Sequence, residues 1–316
     1  MAFDAGMLAC TLHEIEQSAL GARIEKVYQP ERDEIILQMR SFEGGKRLLI
    51  NAGSNNPRIC FTELQKENPQ NPPMFCMLLR KHLQGAKLIG IEQADFDRVA
   101  VLHFEGRDEM GFECEKFLIA ELMGKYSNLI FADGERRVVT ALRTSDFSEN
   151  TQRPLFSGIK YEYPSTCGKA NPLSVSREAF FGIFEGFVGD KACASQLVSA
   201  FSGLSPVVAR EIVFTATRHT DTPARLCLAD DLWESFDAAM KRIRDKSFSP
   251  CAVFDGERCV EYSFMPLAQY GDLEVRSIES AGKLLDTYFG SRDNEQRIHN
   301  RASDILKLLT NAEIRI

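Results

Sequence analysis

Residues 87–142 read KLIGIEQADFDRVAVLHFEGRDEMGFECEKFLIAELMGKYSNLIFADGERRVVTAL, and this stretch decides the fold. It contains five short apolar runs with turn-forming residues between them: KLIGIEQ, RVAVLHFEG, KFLIAELMG, NLIFADG and RRVVTAL. Short runs rich in Val, Ile and Leu that are separated in this way are typical of antiparallel sandwiches and barrels. The stretch therefore predicts an antiparallel β-structure.

Two helices are predicted before this stretch. Residues 5–20 repeat apolar side chains at helical spacing, with Asp4 as a possible N-cap and Gly21 as the closing residue. A second helix, residues 74–83, follows Pro72-Pro73. Proline is tolerated at a helix start because the first N–H groups have no partner within the helix.

A β-hairpin is predicted between the two helices. DEIILQMR (33–40) alternates apolar and polar residues, which predicts a strand. KRLLINA (46–52) is predicted to be its partner strand, joined to it by the turn at Gly44-Gly45. Together with the helices and the five later strands, this hairpin predicts an α+β domain over residues 1–173.

Residues 174–249 have a helical pattern that contains FSGLSPVVAREI (201–212). This segment resembles a helix-hairpin-helix, in which a turn such as Gly203-Leu204-Ser205-Pro206 offers backbone N–H groups to a phosphate. Gly203 and Ser205 are therefore secondary candidates for nucleic-acid contact. An ordinary helix pair is the alternative, and the pattern alone does not decide between them.

Strands and then a long helix are predicted after Pro250. CAVFDGERCVEYSF places Asp255-Gly256 between two apolar runs, which predicts a hairpin. We expect residues 250–276 to pack back onto the first domain, so that 174–249 is an insertion. Residues 277–316 are predicted to be the first helix of a truncated coiled coil, because apolar residues keep four-three spacing at Ile298, Ala302, Ile305 and Leu309.

Composition limits the class of protein. The 316 residues carry a formal net charge of -7, so any RNA contact must be local rather than a broad basic surface. The nine cysteines form no C-x-x-C pair, and with five histidines they offer no metal spacing, so we expect neither metal nor other cofactor. Unpaired cysteines, with no predicted signal peptide or membrane span, indicate a cytoplasmic protein.

Several motifs resemble the N-terminal part of the NFACT family, in the same order along the chain. They are N-P-R-I (56–59), N-P-P-M-F-C-M-L-L-R-K (71–81), Asp97-Arg98, E-L-M-G-K-Y-S-N-L-I (121–130), G-L-S-P-V-V-A-R-E-I (203–212) and S-F-M-P-L-A-Q-Y (263–270). The resemblance covers essentially the whole chain. It is to the RqcH type of ribosome-quality-control factor, a family also described as fibronectin-binding protein A-like.

The resemblance implies a fold and a function. The first domain would be like the N-terminal domain of formamidopyrimidine-type DNA glycosylases. The protein would bind a 50S subunit that carries peptidyl-tRNA and would recruit alanyl-tRNA for template-free alanine tailing of the stalled chain. Peptide bond formation would be left to the ribosome, so the protein would not be an enzyme. The resemblance also implies that full-length members continue, beyond the segments matched here, into a completed coiled coil and an RNA-binding domain.

The resemblance also implies a tRNA-binding site. Its predicted residues are Asp97, Arg98, Glu121, Met123, Lys125 and Tyr126. Arg98 offers a planar fork of donors for a base edge or a phosphate. Asp97 can either orient that fork or accept a hydrogen bond from a base amino group. Lys125 can meet a phosphate, and Tyr126 can stack on an unpaired base. From the residues alone, a surface ion pair at Asp97-Arg98 and core packing of Leu122 and Met123 are the alternatives.

Three further residues are secondary candidates for the same surface. Arg80 and Lys81 stand at the end of the second predicted helix, where they could instead complement the helix dipole. Asp4 is either only an N-cap or a member of the tRNA surface.

Two other functions remain in competition. The family's second name suggests an adhesin-like protein that binds fibronectin. A DNA glycosylase is disfavoured because those enzymes use an N-terminal proline as nucleophile, whereas Met1 is followed here by Ala2 and Phe3.

Overall fold

The computed structural model describes residues 3–42, 44–145, 153–165, 168–290 and 292. Its largest element is a nine-stranded sheet in the order β4-β3-β2-β1-β5-β6-β7-β8-β9, in which all paired strands are antiparallel. The strands are β1 (Arg23–Glu31), β2 (Glu34–Ser41), β3 (Gly44–Asn51), β4 (Arg58–Phe61), β5 (Lys87–Gln93), β6 (Val99–Arg107), β7 (Glu113–Glu121), β8 (Asn128–Asp133) and β9 (Val138–Ala141). Both the predicted hairpin and the five-strand run are present.

Residues 99–102 of β6 and 117–121 of β7 are buried on both faces of the sheet. Leu102 and Leu118 point into the main core, whereas Val101 and Ile119 point into a second apolar cluster on the other face. Side chains alternate between the faces of a strand, so a doubly covered strand needs an almost continuous apolar run. This explains why these parts of the two strands are almost entirely apolar, whereas the other end of the strand pair carries the exposed residues Glu105, Arg107, Glu113 and Glu115.

Two helices cover the main core. Helix α1 (Ala5–Ala19) packs against β2, β4 and β5, and helix α2 (Met74–Leu83) packs against β1, β6 and β9. Asp4 is the N-cap of α1, and its carboxylate accepts the Met7 N–H at 2.8 Å. The predicted α+β character of this part of the chain is confirmed.

Residues 177–244 contain four helices, as the helical pattern predicted. The helices are α3 (Arg177–Glu185), α4 (Cys193–Ala200), α5 (Pro206–Thr217) and α6 (Ala229–Arg244). Helices α4 and α5 are packed together and joined by the short segment 201–205, in which Gly203 adopts φ +71°. A helix-hairpin-helix role for this pair, and the division of the chain at 173, 249 and 276, stay predictions.

The hairpin after Pro250 is also present. Strands β10 (Cys251–Asp255) and β11 (Arg258–Ser263) form a separate three-stranded sheet with β12 (Glu274–Ser277). The segment that follows β11 packs onto α1, because a Cβ on Gly6 would lie only 2.2 Å from the Phe264 ring. Residues 281–290 are helical, but the predicted coiled-coil positions from Ile298 to Leu309 lie outside the described residues.

Candidate functional site

The turn between β5 and β6 has an unusual backbone. Its two central residues, Asp95 and Phe96, have φ of +48° and +50°, and the Asp97 N–H donates to Ala94 O at 2.8 Å. Two positive φ values and this hydrogen bond are features of a type I′ turn, which normally favours Gly or Asn. A phenylalanine in this region is strained, and such strain persists only where the surroundings hold the residue in place.

The surroundings of Phe96 include the α4–α5 turn. A Cβ on Gly203 would lie 2.3 Å from Phe96 O, so the two backbones are in direct contact. Gln93 Nε2 donates to both Asp97 O and Ala5 O, each at 2.9 Å. The β5–β6 turn is therefore held by α1 on one side and by the helical segment on the other.

Asp97 and Arg98 lie at the end of this turn. The Asp97 carboxylate accepts the Arg98 N–H at 2.7 Å, and Arg98 Nε lies 4.0 Å from the same carboxylate. Their side chains are 19% and 27% exposed, respectively. The pair is half-buried rather than a fully exposed surface ion pair, which favours a fixed orientation.

Asp4, Gly203 and Ser205 converge beside Arg98. The Ser205 hydroxyl donates to the Asp4 carboxylate at 2.5 Å, and Ala5 N–H donates to Gly203 O at 3.1 Å. Burial raises the pKa of the Asp4 carboxyl, against the hydrogen bonds from Ser205 and Met7 and the charge of Arg98. Asp4 is 6% exposed and Ser205 is 4% exposed, so this cluster is internal.

Glu121 is buried, so it does not lie on the surface where a predicted tRNA-binding residue could contact a base directly. It is 2% exposed, and its carboxylate accepts two hydrogen bonds from Arg153 Nη2, at 2.6 and 2.8 Å. The Tyr161 hydroxyl donates a third, at 2.8 Å. Burial raises the pKa of the Glu121 carboxyl, against these favourable contacts.

Sequence reasoning missed Arg153 and Tyr161. Neither belongs to a motif, and they follow Glu121 by 32 and 40 residues. The one sequence feature that could have indicated them was Glu121 itself. A carboxylate at the end of an apolar strand needs a hydrogen-bonding partner if that face of the strand is covered.

Met123, Lys125 and Tyr126 lie beside Arg98 at the same end of the sheet. The register pairs Val99 with Glu121, and the Leu122 N–H donates to Arg98 O at 2.8 Å. Gly124–Tyr126 form a short 3-10 helix there. Met123 is half-buried, whereas Tyr126 is 71% exposed with Lys125 Nζ at 4.8 Å from its ring centroid. We call Asp97, Arg98, Met123, Lys125 and Tyr126 the candidate surface.

Arg80 and Lys81 do not join the candidate surface. Arg80 Nε donates to Val27 O at 2.8 Å, and Lys81 Nζ lies 2.6 Å from Glu109. The end of α2 that carries them borders Arg107, the last residue of β6. Arg98, in contrast, lies just before Val99, the first residue of β6. At roughly 3.3 Å per residue, the two sites are separated by about 25–30 Å.

No group of three or more His, Cys, Asp or Glu side chains suited to a metal occurs among the described residues. Within the same ranges, none of the helices has the length and apolar character needed to cross a membrane.

Residues 4–315 match the family model described as "NFACT N-terminal and middle domains". The chain belongs to the NFACT family. Its resemblance to that family, inferred above from motifs such as Asp97-Arg98, is thereby confirmed.

Relatives of this NFACT chain are found in bacteria and archaea. It is 31% identical over 316 residues to the Rqc2 homolog RqcH of Bacillus subtilis, covering 98% of this chain and 53% of that protein. It is 30% identical over 290 residues to the archaeal Rqc2 homolog aRqcH of Methanocaldococcus jannaschii, covering 89% of this chain and 41% of that protein. The chain thus spans about half the length of the bacterial relative.

Solved structures of NFACT relatives share the fold. The N-terminal part of the fibronectin/fibrinogen-binding protein of Streptococcus suis has a TM-score of 0.75 at 30% identity, covering 92% of this chain and 99% of that chain. The fibrinogen-binding protein of Staphylococcus aureus has a TM-score of 0.75 at 28% identity, covering 90% of this chain and 98% of that chain.

Proposed function

We propose that this NFACT chain acts in ribosome quality control by holding a tRNA on the candidate surface. The observation that carries the proposal is the convergence of Asp97 and Arg98 with Met123, Lys125 and Tyr126 at one end of the sheet. Segments that are separated by more than twenty residues supply these side chains, and the hydrogen bonds of a rigid sheet hold them together.

The chemistry of this surface suits unpaired RNA. Arg98 supplies a planar donor fork, Lys125 a point charge, and the exposed Tyr126 ring a platform on which a base can stack. With a net charge of -7, the protein has no general attraction for phosphate, so recognition must come from such a local group.

Glu121 acts as a positioning residue in this proposal. Its buried carboxylate joins the end of β7 to Arg153 and Tyr161, which fixes the strand end from which Met123 and the 124–126 turn project. Asp4 acts in a similar way, because its carboxylate is internal and bonded to Ser205.

The wider role is inferred from the relatives named Rqc2 homolog. The protein recruits alanine-accepting tRNA to a 50S subunit that carries peptidyl-tRNA and supports alanine tailing of the stalled chain. It works on ribosomes in the cytoplasm and leaves peptide bond formation to the ribosome, so it is not itself an enzyme.

The test is to recover the tagged protein from lysate of its own cells and to sequence the RNA that co-purifies. Enrichment of an alanine tRNA together with large-subunit rRNA is expected. Recovery of neither RNA above an untagged control would contradict the proposal.

Binding to fibronectin or fibrinogen is the second candidate function. It is favoured by the fold shared with the Streptococcus suis and Staphylococcus aureus proteins that are described by those ligands. Saturable binding of immobilised fibronectin, unchanged in the Arg98→Ala variant and without RNA enrichment in the first test, would support this candidate instead.

A further inference from the structure

A small cleft opens beside Asp97 on the candidate surface. Its volume is about 250 Å³. Ala94, Val99 and Pro164 contribute apolar walls, and Tyr163 contributes an aromatic one. The cleft lies between the β5–β6 turn and the segment that follows Arg153, so only the folded chain creates it.

The Tyr163 ring is fixed in place and partly open to solvent. It is 39% exposed and meets the Tyr161 ring edge to face, with centroids 5.4 Å apart. Its hydroxyl accepts a hydrogen bond from Arg136 Nη1 at 2.6 Å, and Arg136 in turn lies 3.3 Å from Glu92. The Arg136 guanidinium also lies over the Tyr163 ring, with Cζ 5.7 Å from the centroid, so a ligand can use only the part of the ring that is open to solvent. An aromatic ring that is already immobilised loses little entropy when a flat ligand packs on it.

The Asp97 carboxylate is equally fixed. The I′ turn and the bond from Gln93 Nε2 hold its backbone, and one carboxylate oxygen accepts the Arg98 N–H. An ionised carboxylate offers about four lone-pair sites and no donor. A ligand edge that reaches Asp97 must therefore donate a hydrogen.

Electrostatics disfavour a phosphate in the cleft. Glu92, Asp95 and Asp97 all line it, and although Arg136 lies 3.3 Å from Glu92 and Arg98 lies 4.0 Å from Asp97, neither arginine is part of the lining. The carboxylates that face the cleft repel an anion. The sugar-phosphate backbone of a bound RNA would lie outside instead, within reach of Arg98 and Lys125.

We propose that this cleft is a base-binding subsite, in which an unstacked nucleobase packs on Tyr163 and donates its exocyclic amino group to Asp97. The inference rests on the proposed function and adds a specificity to it. Cytosine, adenine and guanine carry an exocyclic amino group, whereas uracil has the carbonyl oxygen O4 where cytosine has its amino group, and donates only through N3–H between two carbonyls. The subsite prefers amino-bearing bases over uracil, and Tyr163 is a specificity-determining residue that no sequence motif indicated.

The test uses RNA hairpins that share one stem and differ only in the loop, which is all cytidine or all uridine. Wild-type protein is expected to bind the cytidine loop more tightly. Tyr163→Leu should weaken that binding roughly 10- to 100-fold, because the stacking surface is lost. Tyr163→Phe keeps the ring and should stay within about threefold of wild type. Asp97→Asn should remove the preference for cytidine, because a carboxamide both donates and accepts.

Phe112→Leu is the matched control, since Phe112 is 68% exposed and lies on the β6–β7 connection at the far end of the sheet. It should bind both loops as wild type does. Thermal unfolding of each variant shows whether the fold is retained.

Equal affinity of the wild type for the two loops would overturn the subsite, as would a folded Tyr163→Leu protein with wild-type affinity. If those results occur while Arg98→Ala still weakens binding of both loops, only the subsite is lost and the proposed function survives. If wild-type protein binds neither loop, the proposed function and the subsite are both rejected.

Discussion

The Ser205 hydroxyl donates a hydrogen bond of 2.5 Å to the Asp4 carboxylate and so joins the N-caps of α5 and α1. The two residues are 201 positions apart in sequence. Each also caps its own helix, because Asp4 accepts from Met7 N–H and Ser205 accepts from Val208 N–H. Two helix N-termini, both of which favour negative charge, therefore meet at one buried carboxylate.

Removal of this bond should destabilise the protein. Ser205→Ala deletes the α5 cap and one donor to a buried carboxylate, so we expect a loss of about 1–3 kcal/mol in the free energy of unfolding. Urea denaturation measures it. Ser199→Ala, at an exposed position on α4, is the control and should change stability by about 0.5 kcal/mol or less. Equal stability of the two variants would contradict the prediction.

Gly203→Ala tests the contact between the α4–α5 turn and the β5–β6 turn. The added Cβ would lie 2.3 Å from Phe96 O and 2.5 Å from Ala5 Cβ, at a φ of +71°. We expect a loss of more than about 2 kcal/mol, because backbone must move. Gly256→Ala shares a positive φ but meets nothing within 4 Å, so it reports the conformational cost alone, about 1 kcal/mol. The prediction is wrong if both variants lose the same amount.

Arg98→Ala tests the proposed tRNA contact. Loss of a bidentate contact should weaken binding by about 1–3 kcal/mol. Because Arg98 also stabilises the charge of buried Asp4, we expect the fold to lose about 1 kcal/mol as well. The measurement is tRNA recovery from cells, read at a temperature where both proteins are folded. Arg98→Lys keeps the charge and loses the fork, so it should behave like alanine if geometry decides binding. Full alanine-tRNA recovery by folded Arg98→Ala would remove this residue from the site.

Arg153→Ala separates a structural role of Glu121 from direct RNA contact. It leaves the Glu121 carboxylate buried with Tyr161 as its described partner, and we expect a loss of about 3 kcal/mol in stability. Arg137→Ala breaks an exposed pair with Glu135 and should cost under about 1 kcal/mol. If Arg153→Ala leaves stability unchanged, Arg153 does not hold the buried Glu121 carboxylate in place.

Acid should destabilise the protein partly through His82. Burial, together with the charges of Lys116 and Lys81, lowers the pKa of the His82 imidazole below its ordinary value of 6.5. The unfolded state then binds a proton before the native state does, so stability is full above pH 6.5 and is lost as pH falls through the lowered pKa. His82→Gln should flatten the fall in stability on this acid side, as measured by urea denaturation at a series of pH values. His219→Gln, at an exposed position, should give the same curve of stability against pH as the wild type. Identical curves for all three proteins would contradict the prediction.

Local sequence patterns predicted most of the elements. The strands from Lys87 to Ala141, the hairpin across Gly44 and the capped helix after Asp4 all depend on side chains that are close in sequence. Alternation of apolar residues, turn residues and helix caps reflect local physical preferences, so they can be recognised in the sequence without knowledge of the fold.

The candidate surface was predictable only in part. Asp97-Arg98 and the 121–126 segment were found by motif, and their proximity follows from antiparallel pairing of β6 with β7. The distance of Arg80 and Lys81 from that surface was not predictable, because α2 can pack along β6 in either direction. The packing that the fold adopts places them beside Arg107.

The sequence by itself determined the family, the strand ladder and the helix caps of this protein. Tertiary structure alone decided that Asp4 is an internal partner of Ser205, that Glu121 is covered by Arg153 and Tyr161, and that Tyr163 forms a wall beside Asp97. A strand's period of two shows which side chains share a face, but it does not show which distant segment will cover that face. Burial of a carboxylate depends on that covering segment, and here it arrives from residues 153–165 and from the helical segment near 205.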